Sequence, residues 1–256
     1  MFAHFLYFLG RYCFKAVNHA GRLFMLFFDT LYWMVTPPYE RKNISDQMVK
    51  IGIKSLPVVL ITGAFTGMVL VVQTYYQFRR LSVESGIGAV VGFSMTRELG
   101  PVLTALILAG RVGAAITAEL GTMKVTEQID ALESLAVSPI KYLVVPRFIA
   151  CMTLLPILTV FSDFMGIIGG YFVGVKMMGV HGAFFLNNLK FVNPSDIING
   201  LIKASVFGMI IAIVSCYRGF ITTGGAEGVG RSTTISVVAS CMLILVSDFF
   251  LSVALF

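Results

Sequence analysis

The sequence predicts an all-α membrane protein. An N-terminal helix lies in the membrane interface, five transmembrane helices follow, and a short amphipathic helix fills the loop between the second and third. Three observations carry this. First, the chain has 256 residues, of which 57% are hydrophobic and only 12% charged. A soluble domain carries about 25% charged residues, so this chain cannot cover a water-facing surface, and an ordinary soluble domain and a disordered chain are both excluded. Second, with a mean hydropathy of +0.88, its apolar residues gather in stretches long enough to cross a bilayer. They do not alternate as in an outer-membrane barrel. Third, the net charge of +6 reads as Lys and Arg anchors in cytoplasmic loops rather than as a nucleic-acid surface.

The elements follow in order. In residues 1–36, Arg11, Lys15, Asn18 and Arg22 recur at i, i+4, i+7 and i+11, one face of a helix. Phe5, Phe8, Phe14, Phe24 and Phe28 are among the apolar residues filling the rest, which predicts an interfacial helix. A signal peptide would place its charges before the apolar core and end at a small-residue site. Pro37-Pro38 breaks the helix. The five-span core, 51–256, then begins. The first span covers about 51–77 and contains Gly63-x-x-x-Gly67; the second covers about 86–120. A polar segment, 121–139, separates it from the third span at about 146–175, which starts at Pro146. Residues 176–194 read as a loop, and the last spans cover about 196–217 and 232–256. Small residues four apart predict close helix packing and a homodimer. No internal repeat argues for an inverted-repeat transporter.

Charge sets the orientation. With the N-terminus inside, the inner segments hold Arg11, Lys15, Arg22, Arg41, Lys42, Lys50, Lys54, Lys124, Lys141, Arg147, Arg218 and Arg231. The outer ones hold Arg79, Arg80, Lys176 and Lys190. The rule that cytoplasmic loops are basic therefore puts the N-terminus in the cytoplasm and the C-terminus outside. The four cysteines lack CxxC spacing and His4, His19 and His181 lie far apart. Neither set predicts a metal site or a disulfide.

The main polar signal is Thr96-Arg97-Glu98-Leu99-Gly100-Pro101. Arg97 falls about 15 Å along its span at 1.5 Å per residue, near the middle of the membrane. An ion there costs about 2.5–3.5 kcal/mol on insertion scales, so it must face protein, water or a ligand. Adjacent residues do not face each other on a helix, so Arg97 and Glu98 each need a partner elsewhere. One reading is a polar site in a central cavity; the other is a structural pair, for instance Glu98 with Lys203. Arg111, on nearly the same face, could bind helix ends or Asp163. Glu119 could sit in cytoplasmic water.

In the polar segment, Thr126 can cap a helix in which Ile129, Leu132 and Leu135 form an apolar stripe, ended by Pro139. Such a helix could dock in a groove of a soluble partner or rest on the membrane. Gly225 to Ser232 looks like a phosphate loop with Arg231 for Lys. It lacks the strand and nucleotide domain such a loop needs, and reads as a flexible turn. The chain therefore carries no ATPase of its own.

Arg97-Glu98-Leu99-Gly100-Pro101, Ala109-Gly110-Arg111-x-Gly113, Thr117-Ala118-Glu119-x-Gly121-x-Met123, Thr126-Glu127-Gln128 and Ala136-Val137-x-Pro139 together resemble the MlaE/YrbE permease family. These are membrane subunits of ABC-type lipid transporters that work with MCE proteins. The resemblance implies a single permease domain over 1–256, a homodimer, and a coupling helix at 121–139 docked on a cytoplasmic ABC ATPase. Its implied ATPase contacts are Glu127, Gln128, Asp130, Leu132 and Glu133. It implies a lipid cavity lined at Leu70, Gln77, Phe78, Leu81, Arg97 and Glu98, opening to a hexameric periplasmic MCE-domain protein. ATP and Mg would be bound by the ATPase, with no cofactor in this chain. A STAS-domain subunit often accompanies such ATPases. The implied cargo is phospholipid, the implied place the inner membrane of a Gram-negative bacterium, and the implied role outer-membrane lipid asymmetry. Shielding is the physical need: at about 0.8 kcal/mol per buried CH₂, exposing two acyl chains costs on the order of 20 kcal/mol.

Two rivals belong to other classes. An ion- or solute-coupled secondary carrier would use Arg97, Glu98 and Lys203 as a gating relay and would run without an ATPase. A membrane-embedded lipid enzyme would need an acid–base or metal constellation, and no catalytic set appears in the sequence.

Overall fold

The computed structural model describes residues 2–37, 41–80 and 86–255. Helix α1, Phe2–Val35, is one continuous element. Its contacts show how it lies. His19 Nδ1 meets the Tyr217 hydroxyl at 2.6 Å, and the Lys141 ammonium sits 5.1 Å from the Trp33 ring centre. Tyr217 ends one span and Lys141 begins another, so α1 crosses one end of the bundle instead of running through it. Leu26 and Thr30 face inward while Phe14, Phe24 and Phe28 are exposed. Arg11, Asn18 and Arg22 are exposed as the periodicity predicts; the side chains of Cys13 and Lys15 lie outside those described.

Among the described residues, five helices are long and apolar enough to cross a membrane: Arg41–Arg80, Ile87–Val125, Ile140–Met177, Pro194–Phe220 and Gly225–Leu255. The first joins α2 (Arg41–Met48) to α3 (Leu56–Arg80). The second joins α4 (Ile87–Ser94), α5 (Gly100–Leu108) and α6 (Ala114–Val125). Helix α7, Gln128–Ser134, links it to the third, whose main part is α8, Val145–Phe172. Helix α9, Gly182–Leu189, precedes the last two spans, α10 (Pro194–Phe220) and α11 (Gly225–Leu255).

Most boundaries run further than the hydropathy does. The second span's helix continues to Val125, so residues 121–125 are helix and not loop. The segment expected to be a loop at 176–194 contains α9, and Phe185 on it is fully buried. The false phosphate loop is no turn: Gly225 to Ser232 forms the first turns of α11. The chain turns at the entry to this helix, where Gly224 and the first helical residue, Gly225, take φ of 90° and 67°, a region that favours glycine.

Helix α8 packs between α3 and α10, and α10 packs on α6 and α11. The α3–α8 contact is made by backbone. A Cβ on Gly67 would overlap the Gly166 carbonyl, and one on Gly63 would crowd Ser162. The Gly63-x-x-x-Gly67 motif is thus used inside the chain. Hydroxyls join other helices: Thr117 Oγ1 bonds Ser236 Oγ at 2.8 Å and the Ser215 carbonyl at 3.1 Å.

Among the described residues, five π-helical turns fall within the spans, at Val49–Ile53, Met95–Leu99, Ala109–Gly113, Ile140–Val144 and Val173–Met177. Such wide turns are rare and collect at functional sites. One holds Arg97 and Glu98 and another Arg111.

Candidate functional site

The site begins with a missing hydrogen bond. Pro101 has no N–H, so the Arg97 carbonyl one turn earlier loses its helical donor. Gly100 bonds back to Met95 instead, closing the wide turn. The freed Arg97 carbonyl accepts from the Lys203 ammonium at 3.1 Å. Gly200 permits this approach, because a Cβ there would strike the Thr96 carbonyl. Proline is used the same way at Pro146, whose unmet acceptor, the Tyr142 carbonyl, is taken by Asn43 Nδ2 at 3.3 Å.

Lys203 is wholly buried and gathers an ion network. Its Nζ lies 2.7 Å from Glu98 Oε2, 2.7 Å from Asp248 Oδ1 and 3.0 Å from Ser252 Oγ. Ser252 also donates to Glu98 Oε1 at 3.0 Å. The pairing of Glu98 with Lys203, one of the two readings of the sequence, is therefore present. Arg97 turns the other way: its guanidinium pairs with Asp196 at 2.8 Å and lies 4.8 Å from the centre of the Phe93 ring. Asp196 is fixed by its second oxygen, which accepts from the Asn193 N–H at 3.1 Å in a capping box at the start of α10. Asp196, Asp248 and Ser252 escaped the sequence reading. Asp248, the one charged residue after Arg231, lies four before Ser252 in the last span, a signal of one polar helix face.

The network is not sealed. The Arg97 and Glu98 side chains keep 37% and 43% of their surface open. Beside them, Leu99 forms one wall of an apolar groove of about 410 Å³. The other wall is the α3 face carrying Phe65, Thr66, Val69, Leu70 and Gln73. Its volume lies within the usual range for ligand pockets. Of the residues implied by resemblance, Leu70 lines this groove, and Arg97 and Glu98 directly precede its lining residue Leu99 in the chain without lining it themselves. Gln77 is exposed further along α3, and Phe78 packs into the core beneath α9. Leu81 lies outside the described residues. Gln73 lines the groove and was not singled out by sequence.

At the opposite end, α7 presents a different surface. Glu127, Gln128, Asp130 and Glu133 are exposed. Leu132 packs against the core and Ile129 is buried, so both anchor the helix. Leu135 is the open apolar residue, 73% exposed. Thr126 does not cap α7: its hydroxyl bonds back to the Thr122 carbonyl at 2.8 Å. The turn is made by Glu127, with φ of 60°. Glu119, expected in water, pairs with Arg147 at 3.0 Å and Lys50 at 3.6 Å. Arg111 donates to Ser55 Oγ and not to Asp163.

Residues 44–254 match the model of the family described as Permease MlaE. The chain belongs to the MlaE permease family. Its relatives agree with that membership. A probable ABC transporter permease protein of Rickettsia prowazekii is 46% identical, over 95% of both chains. One from a Synechocystis strain is 48% identical over 85% of this chain and 83% of the relative. The chloroplastic protein Trigalactosyldiacylglycerol 1 of Arabidopsis thaliana is 42% identical over 82% of this chain and 61% of its own length. Relatives named as ABC transporter permeases are transport subunits, which agrees with the transport reading. In this MlaE permease the ion network joins span two to spans four and five, and the groove lies between spans one and two.

Proposed function

We propose that this chain is the permease subunit of an ABC transporter that moves phospholipid between the inner membrane and a periplasmic MCE-domain carrier, maintaining outer-membrane lipid asymmetry. One observation carries the reading: an apolar groove of about 410 Å³ runs beside a half-open ion network. That pairing suits an amphiphile, with acyl chain in the groove and headgroup near Arg97 and Glu98. The name of the Arabidopsis relative contains that of a glycolipid, which supports a lipid cargo.

The bundle end that carries Lys50, Lys54, Lys124, Lys141, Arg147 and Arg218 is the cytoplasmic one, by the excess of cations over the end with Arg79, Arg80, Lys176 and Lys190. Exposed α7 then meets the ATPase, which binds ATP and Mg, with a STAS-domain subunit as a further companion. The groove end faces the hexameric MCE protein in the periplasm. Two copies of the chain enclose the lipid path, since five helices make a poor enclosure alone.

Co-purification tests this. The tagged chain is expressed in its native host and its companions in mild detergent are identified by mass spectrometry. An ATPase and an MCE-domain protein are expected. Recovery of the chain alone, with transport driven by an ion gradient, would favour the coupled carrier, for which the buried Lys203 network would serve as a relay.

A further inference from the structure

A second polar cavity lies at the other end of the second span. Arg111 follows Arg97 by fourteen residues, about 21 Å along a helix. The cavity holds about 270 Å³ and is lined by Lys50, Lys54, Arg111 and Glu119, with Ile51 and Ile116 among its apolar walls. Three cations therefore face one carboxylate. That carboxylate is shared between buried Arg147 at 3.0 Å and Lys50 at 3.6 Å, so one negative charge faces four cations and the cavity keeps a net positive charge. Arg111 donates to Ser55, a neutral hydroxyl. Lys54 makes no side-chain hydrogen bond or ion pair among the described residues.

The wide turn fixes the depth. Val49 and Ile53, on the same turn as Lys50 but lining a separate apolar groove against α8, are 49% and 66% exposed. Large apolar side chains left open at this level place the cavity near the hydrocarbon boundary. A cluster of like charges at that depth is costly without a counter-ion. Basic pockets between transmembrane helices meet that need by binding anionic lipid headgroups.

We propose that this cavity binds the phosphate of an anionic phospholipid headgroup from the leaflet on the basic side of the bundle. The headgroup phosphate supplies the missing negative charge to Lys50, Lys54 and Arg111, and the acyl chains extend into the adjoining hydrocarbon. The site is separate from the groove of the proposed transport path, and its occupant need not be cargo.

The test is native mass spectrometry of the full chain in an uncharged detergent, with phosphatidylglycerol, phosphatidylcholine or inorganic phosphate added. Phosphatidylglycerol should be retained over phosphatidylcholine. Lys54→Gln should weaken that retention about fivefold, the effect of one lysine near an anionic surface, with the melting temperature unchanged. Lys50→Gln with Lys54→Gln should weaken it further, and Lys190→Gln at the far end should leave it intact. Equal retention of both lipids, or indifference to Lys54→Gln, would overturn the proposal. Displacement of phosphatidylglycerol by inorganic phosphate would overturn the lipid source and assign the site to a soluble phosphate. A chain that binds phosphatidylglycerol here yet moves no lipid keeps this site and loses the transport reading.

Discussion

Lys203 is the residue on which the polar site turns. Its ammonium, with no open surface, is held by Glu98, Asp248, Ser252 and the Arg97 carbonyl. Removing one partner of a buried ion pair costs about 3–5 kcal/mol, because the other charge is stranded. Glu98 is half-open, which lets water reach it and puts Lys203→Met at the low end of that range. Thermal melting in detergent should show a clear loss. Adding Glu98→Gln and Asp248→Asn should recover part of it, since the stranded charges are then gone. A variant as stable as the parent would contradict the network. The pair with Glu98 was readable from sequence, because a mid-membrane carboxylate needs a cation and few lie in the spans. The partner of Arg97 was not. Asp196 sits ninety-nine residues away at a helix start, where an acid usually serves only as a cap.

At the scale of the element, two helices make separate predictions. Helix α3 meets α8 through Gly67, which has no room for a Cβ against the Gly166 carbonyl. Overpacking typically costs 1–3 kcal/mol, and here the obstacle is backbone that cannot rotate away. Gly67→Val should therefore cost about 3 kcal/mol and lower the melting temperature. A neutral result would contradict the packing. The motif itself was legible, but not its partner, since a close-packing stripe looks the same whether it meets its own chain or another. Helix α7 offers the contrasting case. Leu135 is open to solvent, so Leu135→Asp should leave stability within about 0.5 kcal/mol, as surface changes usually do. It should nonetheless lower ATP-driven transport and recovery of the ATPase. Periodicity put Ile129, Leu132 and Leu135 on one stripe but could not divide anchors from contacts. The end of α6 makes that division, because it packs the first two inward.

Across the whole molecule, five spans were legible because each needs some twenty apolar residues, a signal no local packing can erase. Their true ends were not, because helices continue past the hydrocarbon where polar residues find partners, as at Val125. Helix α9 was missed for a related reason: eight residues are too short for a hydropathy signal, and tertiary contact buries Phe185. The half-open network and the apolar groove lie toward one end, and the basic cavity and α7 toward the other. An ABC permease needs that polarity, with cargo handled on one side and ATP-driven motion delivered on the other. Binding of ATP elsewhere can shift the conformations only if the two ends are coupled. The most direct measurement is transfer of labelled phospholipid by the affinity-purified complex in proteoliposomes. The account predicts transfer that requires ATP, falls with Leu135→Asp at α7, and falls with substitution of Leu70 or Gln73 in the groove. Transfer that ignores ATP and follows an ion gradient, or an ATP-hydrolysing complex that moves no phospholipid, would contradict it.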